Sequence, residues 1–284
     1  MSAPVRVTIP DGGRAAELAR TVLSSLPLSY APNGKHEPGA MIIVDGQKTA
    51  WPDATATAIM ESAAGVVVIG PQPAELGPLL SLLDQHRVPV VVDSSWTNPV
   101  IPVAANAFAT AMTSGIRLEC RMIALPGQDQ QAALVDQLFL VRHLIGAASD
   151  VRLIFTSDRG YFAEAAVGPS TSSGRTLTVD LSVICTRARP RSATVRLLTL
   201  DGSVELFLPS GDTAQPARLI TVDQNGATVA PALYESGHRS SWRRLWELIN
   251  SGEKTTDLQD LAVDIATTHH IRPALDGNKE EHTT

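Results

Sequence analysis

Asp93 and Ser94 close a short valine run, and Asp136 and His143 stand two helical turns apart in a later apolar-periodic stretch. A carboxylate, a hydroxyl and an imidazole that converged at a cleft could run a hydrolytic or lyase reaction. Aspartate at a strand end and serine at a helix start are equally the usual capping residues. Tyr161, Tyr234 and His238 are further cleft candidates by chemistry alone, set against a core or surface reading. No Gly-x-Ser-x-Gly elbow supplies a hydrolase nucleophile. Between Lys48 and Lys254 every cationic side chain other than histidine is an arginine. Arginine stays protonated, so Schiff-base and lysine proton-shuttle chemistry is closed to the middle of the chain.

Cys120 and Cys185 are the only cysteines and both fall in strand-like stretches, which reads as buried thiols in a reducing compartment. Neither they nor the histidines offer a metal-ligand spacing; the adjacent His269 and His270 would diverge on a helix. The chain has 284 residues, 44% of them hydrophobic, and a net charge of -6. That balance suits a globular protein of one large or two modest domains, and disfavours nucleic acid or an anionic membrane surface as the main partner. Arg187, Arg189 and Arg191, and likewise Arg239, Arg243 and Arg244, read as solvated faces or loops. No secretory signal or run of ~18 apolar residues is found, so the expected location is the cytoplasm.

These candidates must be positioned by two kinds of element. Val5 to Ile9, Met41 to Val44, Val66 to Ile69 and Val90 to Val92 are near-continuous apolar runs, as strands buried on both faces should be. Helix-forming stretches separate them at Ala15 to Leu26, Asp53 to Ala63 and Ala74 to His86, and Pro27 to Gly39 reads as an irregular loop. This alternation predicts a parallel sheet covered by helices. After Pro99 a helix is predicted over Gln130 to Gly146, with Leu134, Leu138, Val141 and Ile145 on one face. Strands follow: Leu177, Val179, Leu181 and Val183 alternate with polar residues, and Asp201-Gly202 between two strand runs predicts a two-residue hairpin turn. Gly168 to Gly174 reads as another hairpin loop. Trp242, Leu245, Trp246 and Ile249 mark the core face of a late helix stopped by Gly252, and a second helix is expected from Asp257 to Thr267. The fold class expected is α/β: a shortened Rossmann-like domain over residues 1–98, an α+β domain with a broad, mostly antiparallel sheet over 99–275, and a frayed tail over 276–284. The last helices should pack back on the first domain.

Four stretches of the chain resemble the Gfo/Idh/MocA family, the glucose-fructose oxidoreductase and inositol dehydrogenase group. Val66 to Leu76 is similar to its strand-four segment, Val90 to Trp96 to its VxVEKPx strand, Leu134 to Gly146 to its helix ending Asp-x-x-Arg-Trp-Leu-x-Gly, and Asp201 to Leu206 to its hairpin. The resemblance implies a catalytic lysine at the position of Ser94, an aspartate at Ala132 and a catalytic histidine at Asp136. All three residues depart from the family, whereas Arg142 keeps its arginine and His143 stands in place of its tryptophan. In the cofactor loop Pro10, Gly12 and Ala15 take the three glycine-motif spacings. Pro10 removes an amide and fixes φ where a tight turn is needed. Asp45 could receive a ribose hydroxyl, and Gly70, which closes the strand-four segment, is a further cofactor-binding candidate.

The expectation is a catalytically degenerate oxidoreductase-fold protein that acts as a binding or partner subunit, with NAD(P) binding weak or lost and no metal. The alternative is an NAD(P)-dependent dehydrogenase or reductase of a sugar, cyclitol or similar hydroxyl or carbonyl substrate. The resemblance also implies a homodimer, or a heteromer with a relative, joined through the open face of the second-domain sheet. That face is expected to be apolar.

Overall fold

The structure, a computed structural model, describes residues 4–32, 37–168, 176–211, 215–271 and 274–275. The chain folds into two compact units, Met1–Thr97 with Ser236–Ala262, and Asn98–Glu235 with Val263–Thr284. The continuous range 99–275 is a correction: Ser236–Ala262 returns to the first unit because its helix carries an apolar face that only the parallel sheet can cover. The tail 276–284 and most of the Gly168 to Gly174 loop lie outside the described residues.

In the first unit, strands β1 (Val5–Thr8), β2 (Tyr30–Pro32), β3 (Met41–Asp45), β4 (Gly65–Ile69) and β5 (Val90–Asp93) form a parallel sheet in the order β2-β1-β3-β4-β5. Helices α1 (Arg14–Ser25), α2 (Trp51–Met60) and α3 (Gly77–Gln85) connect them. Val66, Val67, Val68, Val90 and Val91 are buried, as continuous apolar runs in a doubly covered sheet require. Strand β2 corrects the Pro27 to Gly39 loop: three residues carry no periodicity, and they become a strand only because β1 offers them an edge.

The late helix, here numbered α6 (Gly237–Ser251), starts at Ser236, whose hydroxyl accepts from Arg239 N, and ends at Gly252 with φ 70°, as expected. Trp242 and Leu245 are fully buried against β1, β3 and β4, with Trp242 edge-on to Tyr30 at 5.5 Å and its carbonyl accepting from the Tyr30 hydroxyl at 2.6 Å. Trp246 and Ile249 are only partly buried at the margin of that core. Helix α7 (Asp257–Thr268) follows, and the Asp257 carboxylate accepts from Val92 N at 3.0 Å and from Arg244 at 2.6 and 2.9 Å. It thereby occupies a main-chain donor on the outermost strand, β5, which would otherwise invite another strand.

The second unit opens with α4 (Ile101–Ala111), a helix that its alanine-rich sequence did not announce. Eight strands follow: β6 (Gly115–Ala124), β7 (Ala148–Ser157), β8 (Gly160–Val167), β9 (Leu177–Cys185), β10 (Ser192–Thr199), β11 (Ser203–Pro209), β12 (Arg218–Asp223) and β13 (Gly226–Val229). Their order is β13-β12-β11-β10-β6-β9-β8-β7, antiparallel throughout except for the central β6/β9 pair. Helix α5 (Gln130–Leu144) is capped by the Asp129 carboxylate and packs on β6, β9 and β7, while α4 packs on β10 and β11. Leu118, Leu181, Leu197 and Leu206 are buried beneath them.

The β10/β11 turn corrects the Asp-Gly expectation. Thr199 N donates to Gly202 O, so Leu200 and Asp201 are the central residues, and none of these has positive φ. Glycine is needed at 202 for a different reason: a Cβ there would stand 1.9 Å from Val222 O on β12.

Candidate functional site at the carboxyl ends of the parallel strands

Open parallel sheets bind ligands beyond the carboxyl ends of their strands, at the point where the strand order reverses. Here that point lies between β1 and β3. The loop after β1 runs through Pro10 to Gly13. Gly13, with φ 86°, is the N-cap of α1, and Ala15 is buried in the core beneath it. The glycine with the special backbone is therefore Gly13, one position beyond the Gly12 singled out by motif spacing; Gly12 is exposed. Asp45 ends β3, and a Cβ on Gly13 would lie 3.9 Å from its Oδ2. Anions sit at helix N-termini because unpaired amides and the helix dipole favour negative charge. A carboxylate of the chain itself already stands beside this one. The site thus does not fit a pyrophosphate well: Pro10 withholds an amide and Asp45 adds a like charge.

The reading of Asp45 as the end of a second strand, where a ribose hydroxyl would be met, is corrected by β2. The dinucleotide-binding order is 3-2-1-4-5-6. The observed order is that arrangement without its third strand, so β3, β4 and β5 stand at the fourth, fifth and sixth positions. Val66 to Leu76 accordingly occupies the fifth place and not the fourth. The strand end aligned by position with Glu-Lys-Pro is Ile69-Gly70-Pro71, and Ser94 lies one strand further out. In neither register is there a lysine.

The ends of β3 and β4 are tied together. Gly46 N donates to Ile69 O at 3.0 Å and Gln72 N to Gly46 O at 2.9 Å, while the Gln47 side chain donates to Gly70 O. A Cβ on Gly46 would fall 2.5 Å from Pro71 Cα, so the two loops touch and Gly46 must be a glycine. Gly70, at φ 55°, donates its amide to Asp93 O at 2.9 Å. Its amide and carbonyl are thus both engaged in joining neighbouring strand ends.

At the end of β5 the Asp93 carboxylate is fully buried. Its Oδ2 lies 2.8 Å from His238 Nδ1, and its Oδ1 accepts from Ser241 Oγ at 3.0 Å. Both partners are on the first turns of α6, where a helix N-terminus also favours the negative charge. An imidazole held by a buried carboxylate through Nδ1 has its orientation and tautomer set, the arrangement that suits it to proton transfer. Asp93 and His238 were each singled out from the sequence, but their pairing was not; Ser241 gave no signal. Ser94 is buried and accepts from Trp96 N at 3.2 Å.

The other candidates sit in the second unit. Ala132 and Asp136 are half-buried on α5, and His143 is exposed, its ring 4.1 Å from Phe139 and its Nδ1 2.8 Å from Phe139 O. Arg142, the residue the family keeps, pairs with the buried Asp264 of α7 at 2.5 Å. Tyr161 is buried and donates to Gln137 Oε1 at 2.5 Å, while Gln137 Nε2 donates to Cys120 O and Ser182 O at 2.7 and 2.9 Å. That network fastens α5 to the central strands, and burial raises the Tyr161 pKa. Tyr234 is 82% exposed. A cavity of about 160 Å³ lined by His86, Val90, Lys254 and Gln259 lies at the amino end of β5, the wrong end for a ligand of this sheet. Among the described residues no group of histidine, cysteine and carboxylate side chains could hold a metal, and no helix is long and apolar enough to cross a membrane.

No protein-family profile matches the chain, and no curated protein matches its sequence. Solved structures do match its fold. An oxidoreductase from Sinorhizobium meliloti superposes with a TM-score of 0.70 at 10% identity, over 93% of this chain and 95% of that one. The UDP-N-acetylglucosamine 3-dehydrogenase from Acidithiobacillus ferrooxidans gives 0.71 at 11% identity over 96% and 98%. A 3-ketoreductase from Actinomadura kijaniata, solved in complex with NADP, gives 0.65 at 12% identity over 94% and 96%. The fold of this chain is that of the Gfo/Idh/MocA-type oxidoreductases.

Proposed function

We propose that this chain is an oxidoreductase-fold protein that has lost nicotinamide-dependent hydride transfer and acts as a binding or partner subunit for a small polyol or sugar-like ligand. The observation that carries this reading is the Asp45 carboxylate beside Gly13 at the switch point, in a loop whose first turn position is Pro10. A phosphate brought there meets a like charge and one amide fewer than it needs. The strand end at Gly70-Pro71 and the α5 position at Asp136 add support: neither offers the lysine or histidine of the family. Titration of the full chain with NADH and NADPH, followed by nucleotide fluorescence, should give Kd values weaker than about 1 mM, some -4 kcal/mol. Asp45→Asn with Pro10→Gly should tighten binding at least tenfold, about 1.4 kcal/mol. Micromolar binding by the unaltered chain overturns the reading.

The second reading, an NAD(P)-dependent dehydrogenase or reductase of a sugar, cyclitol or similar substrate, draws on the NADP-bound 3-ketoreductase of the same fold and on the Asp93–His238 pair. The same titration separates the two. If the cofactor binds, loss of turnover in His238→Asn with the fold intact would assign the proton to that imidazole.

A further inference from the structure

The cavity of about 160 Å³ at the amino end of β5 lies between the end of α3 and the start of α7, within the first unit. Ligands of an open parallel sheet gather at the opposite end, so this cavity is separate from the switch point and from the Asp93–His238 pair. Its inner surface is aliphatic: Val90 and Leu258 are each 1% exposed, and Leu83 and Val88 are half-buried beside them. Two exposed residues of opposite charge complete the lining, Asp84 on α3 and Lys254 in the loop before α7. A cavity of about 150 Å³ accommodates a six-carbon ring, so this one suits a molecule of about six to eight non-hydrogen atoms.

The polar groups decide what kind of molecule that is. Thr255 Oγ1 donates to Asp257 Oδ1, and Thr256 Oγ1 donates to Asp260 Oδ2 at 2.8 Å, so both hydroxyls are committed to the first turn of α7. Left over are Asp84, His86, Lys254 and Gln259, whose side chains make no hydrogen bond or ion pair among the described residues. The Gln259 Oε1 is buried as well. Terminal amide torsions are broad, so a donor brought into the cavity can turn that oxygen towards itself. An apolar ligand would leave this acceptor unmet. A simple anion would be drawn to Lys254 and repelled by Asp84, and a simple cation the reverse. A zwitterion satisfies all of them: its ammonium faces Asp84 and the Gln259 oxygen, its carboxylate faces Lys254, and a short aliphatic side chain covers Val90 and Leu258. The His86 imidazole donates or accepts and suits either pole.

We propose that this cavity binds a free α-amino acid with a short aliphatic side chain, as a second ligand site of the first unit. Its occupant joins the α3–β5 connection to the start of α7, whose Asp257 already holds Val92 N. The assignment rests neither on the cofactor reading nor on the polyol ligand proposed above. The probe is L-valine, with isovalerate and isobutylamine as analogues that keep the branched chain and each lose one charged group. Calorimetric titration of the full chain at neutral pH should give a Kd of about 1 mM or tighter for L-valine, and binding about tenfold weaker or worse for either analogue. Asp84→Asn, Lys254→Met and Gln259→Leu should each weaken L-valine about tenfold. Asp84 and Lys254 are exposed, so their replacement leaves the core intact and decides the matter even where Gln259→Leu fails to fold. Absence of saturable heat with L-valine overturns the proposal. So does an analogue that binds as tightly as valine, or unchanged valine binding in any variant that circular dichroism shows to be folded.

Discussion

Replacing Asp93 by alanine removes a carboxylate that has no exposure to solvent and leaves two donors facing it, His238 Nδ1 at 2.8 Å and Ser241 Oγ at 3.0 Å. Hydrogen bonds to a charged group contribute roughly 1.5–3 kcal/mol each, and breaking a buried pair by removing one partner costs about 3–5 kcal/mol. The His238 side chain is 18% exposed, so water can recover part of that loss, and the expected cost is ~3 kcal/mol. Ser241→Ala, which leaves the imidazole in place, should cost only ~1–2 kcal/mol. The loss should be confined to one unit, because Asp93, His238 and Ser241 all belong to the first. Trp51, Trp96, Trp242 and Trp246, the chain's only tryptophans, lie in that unit as well. Tryptophan fluorescence during urea unfolding therefore follows the perturbed unit, and circular dichroism follows both. A fluorescence midpoint unchanged in Asp93→Ala, or a cost below ~1 kcal/mol, would show that the carboxylate does not hold α6 to the sheet.

Gly160→Ala should destabilise the second unit by ~3 kcal/mol, since the new Cβ would sit 1.9 Å from Val183 O on a residue with φ 137°; thermal unfolding of a normally stable variant would refute the close approach. Burial pushes the Cys120 thiol up from 9.0 to about 12, with the Gln137 hydrogen bond opposing it. The raised folded value means this contribution to stability is whole below pH 9 and is lost as pH climbs towards 12. At pH 8, thiol labelling should reach Cys185 and should touch Cys120 only on unfolding; equal rates would contradict the burial. Trp242→Ala should cost ~3–5 kcal/mol and Trp246→Ala less than half of that, by urea denaturation. Trp242→Phe should be much milder, because the indole Nε1 is buried without a partner among the described residues and its removal relieves an unmet donor.

The strands of the parallel sheet were legible because burial on both faces demands continuous apolar runs, and Leu177 to Val183 because one covered face demands alternation. The helix at Trp242 was legible because Trp242 and Leu245 share a face, and Gly252 because a left-handed cap tolerates little else. The absence of lysine from Lys48 to Lys254 is a fact of composition that no tertiary arrangement can reverse, and it survived a shift of register by one strand. That shift came from β2, too short to carry a period and formed only by pairing with β1. Once it is counted, Asp45 moves from the ribose end of the sheet to the phosphate end, and an expected ligand group becomes an expected obstacle. Asp93 and His238 are 145 positions apart in the chain, and their meeting depends on α6 returning to β5, a long-range closure that local pattern does not encode. The open face likewise showed its polar residues in sequence. Only the strand order, with β6 and β9 brought side by side from distant segments, arranged those residues into the single row Arg152, Glu164, Asp180, Glu119, Arg196 and Glu205.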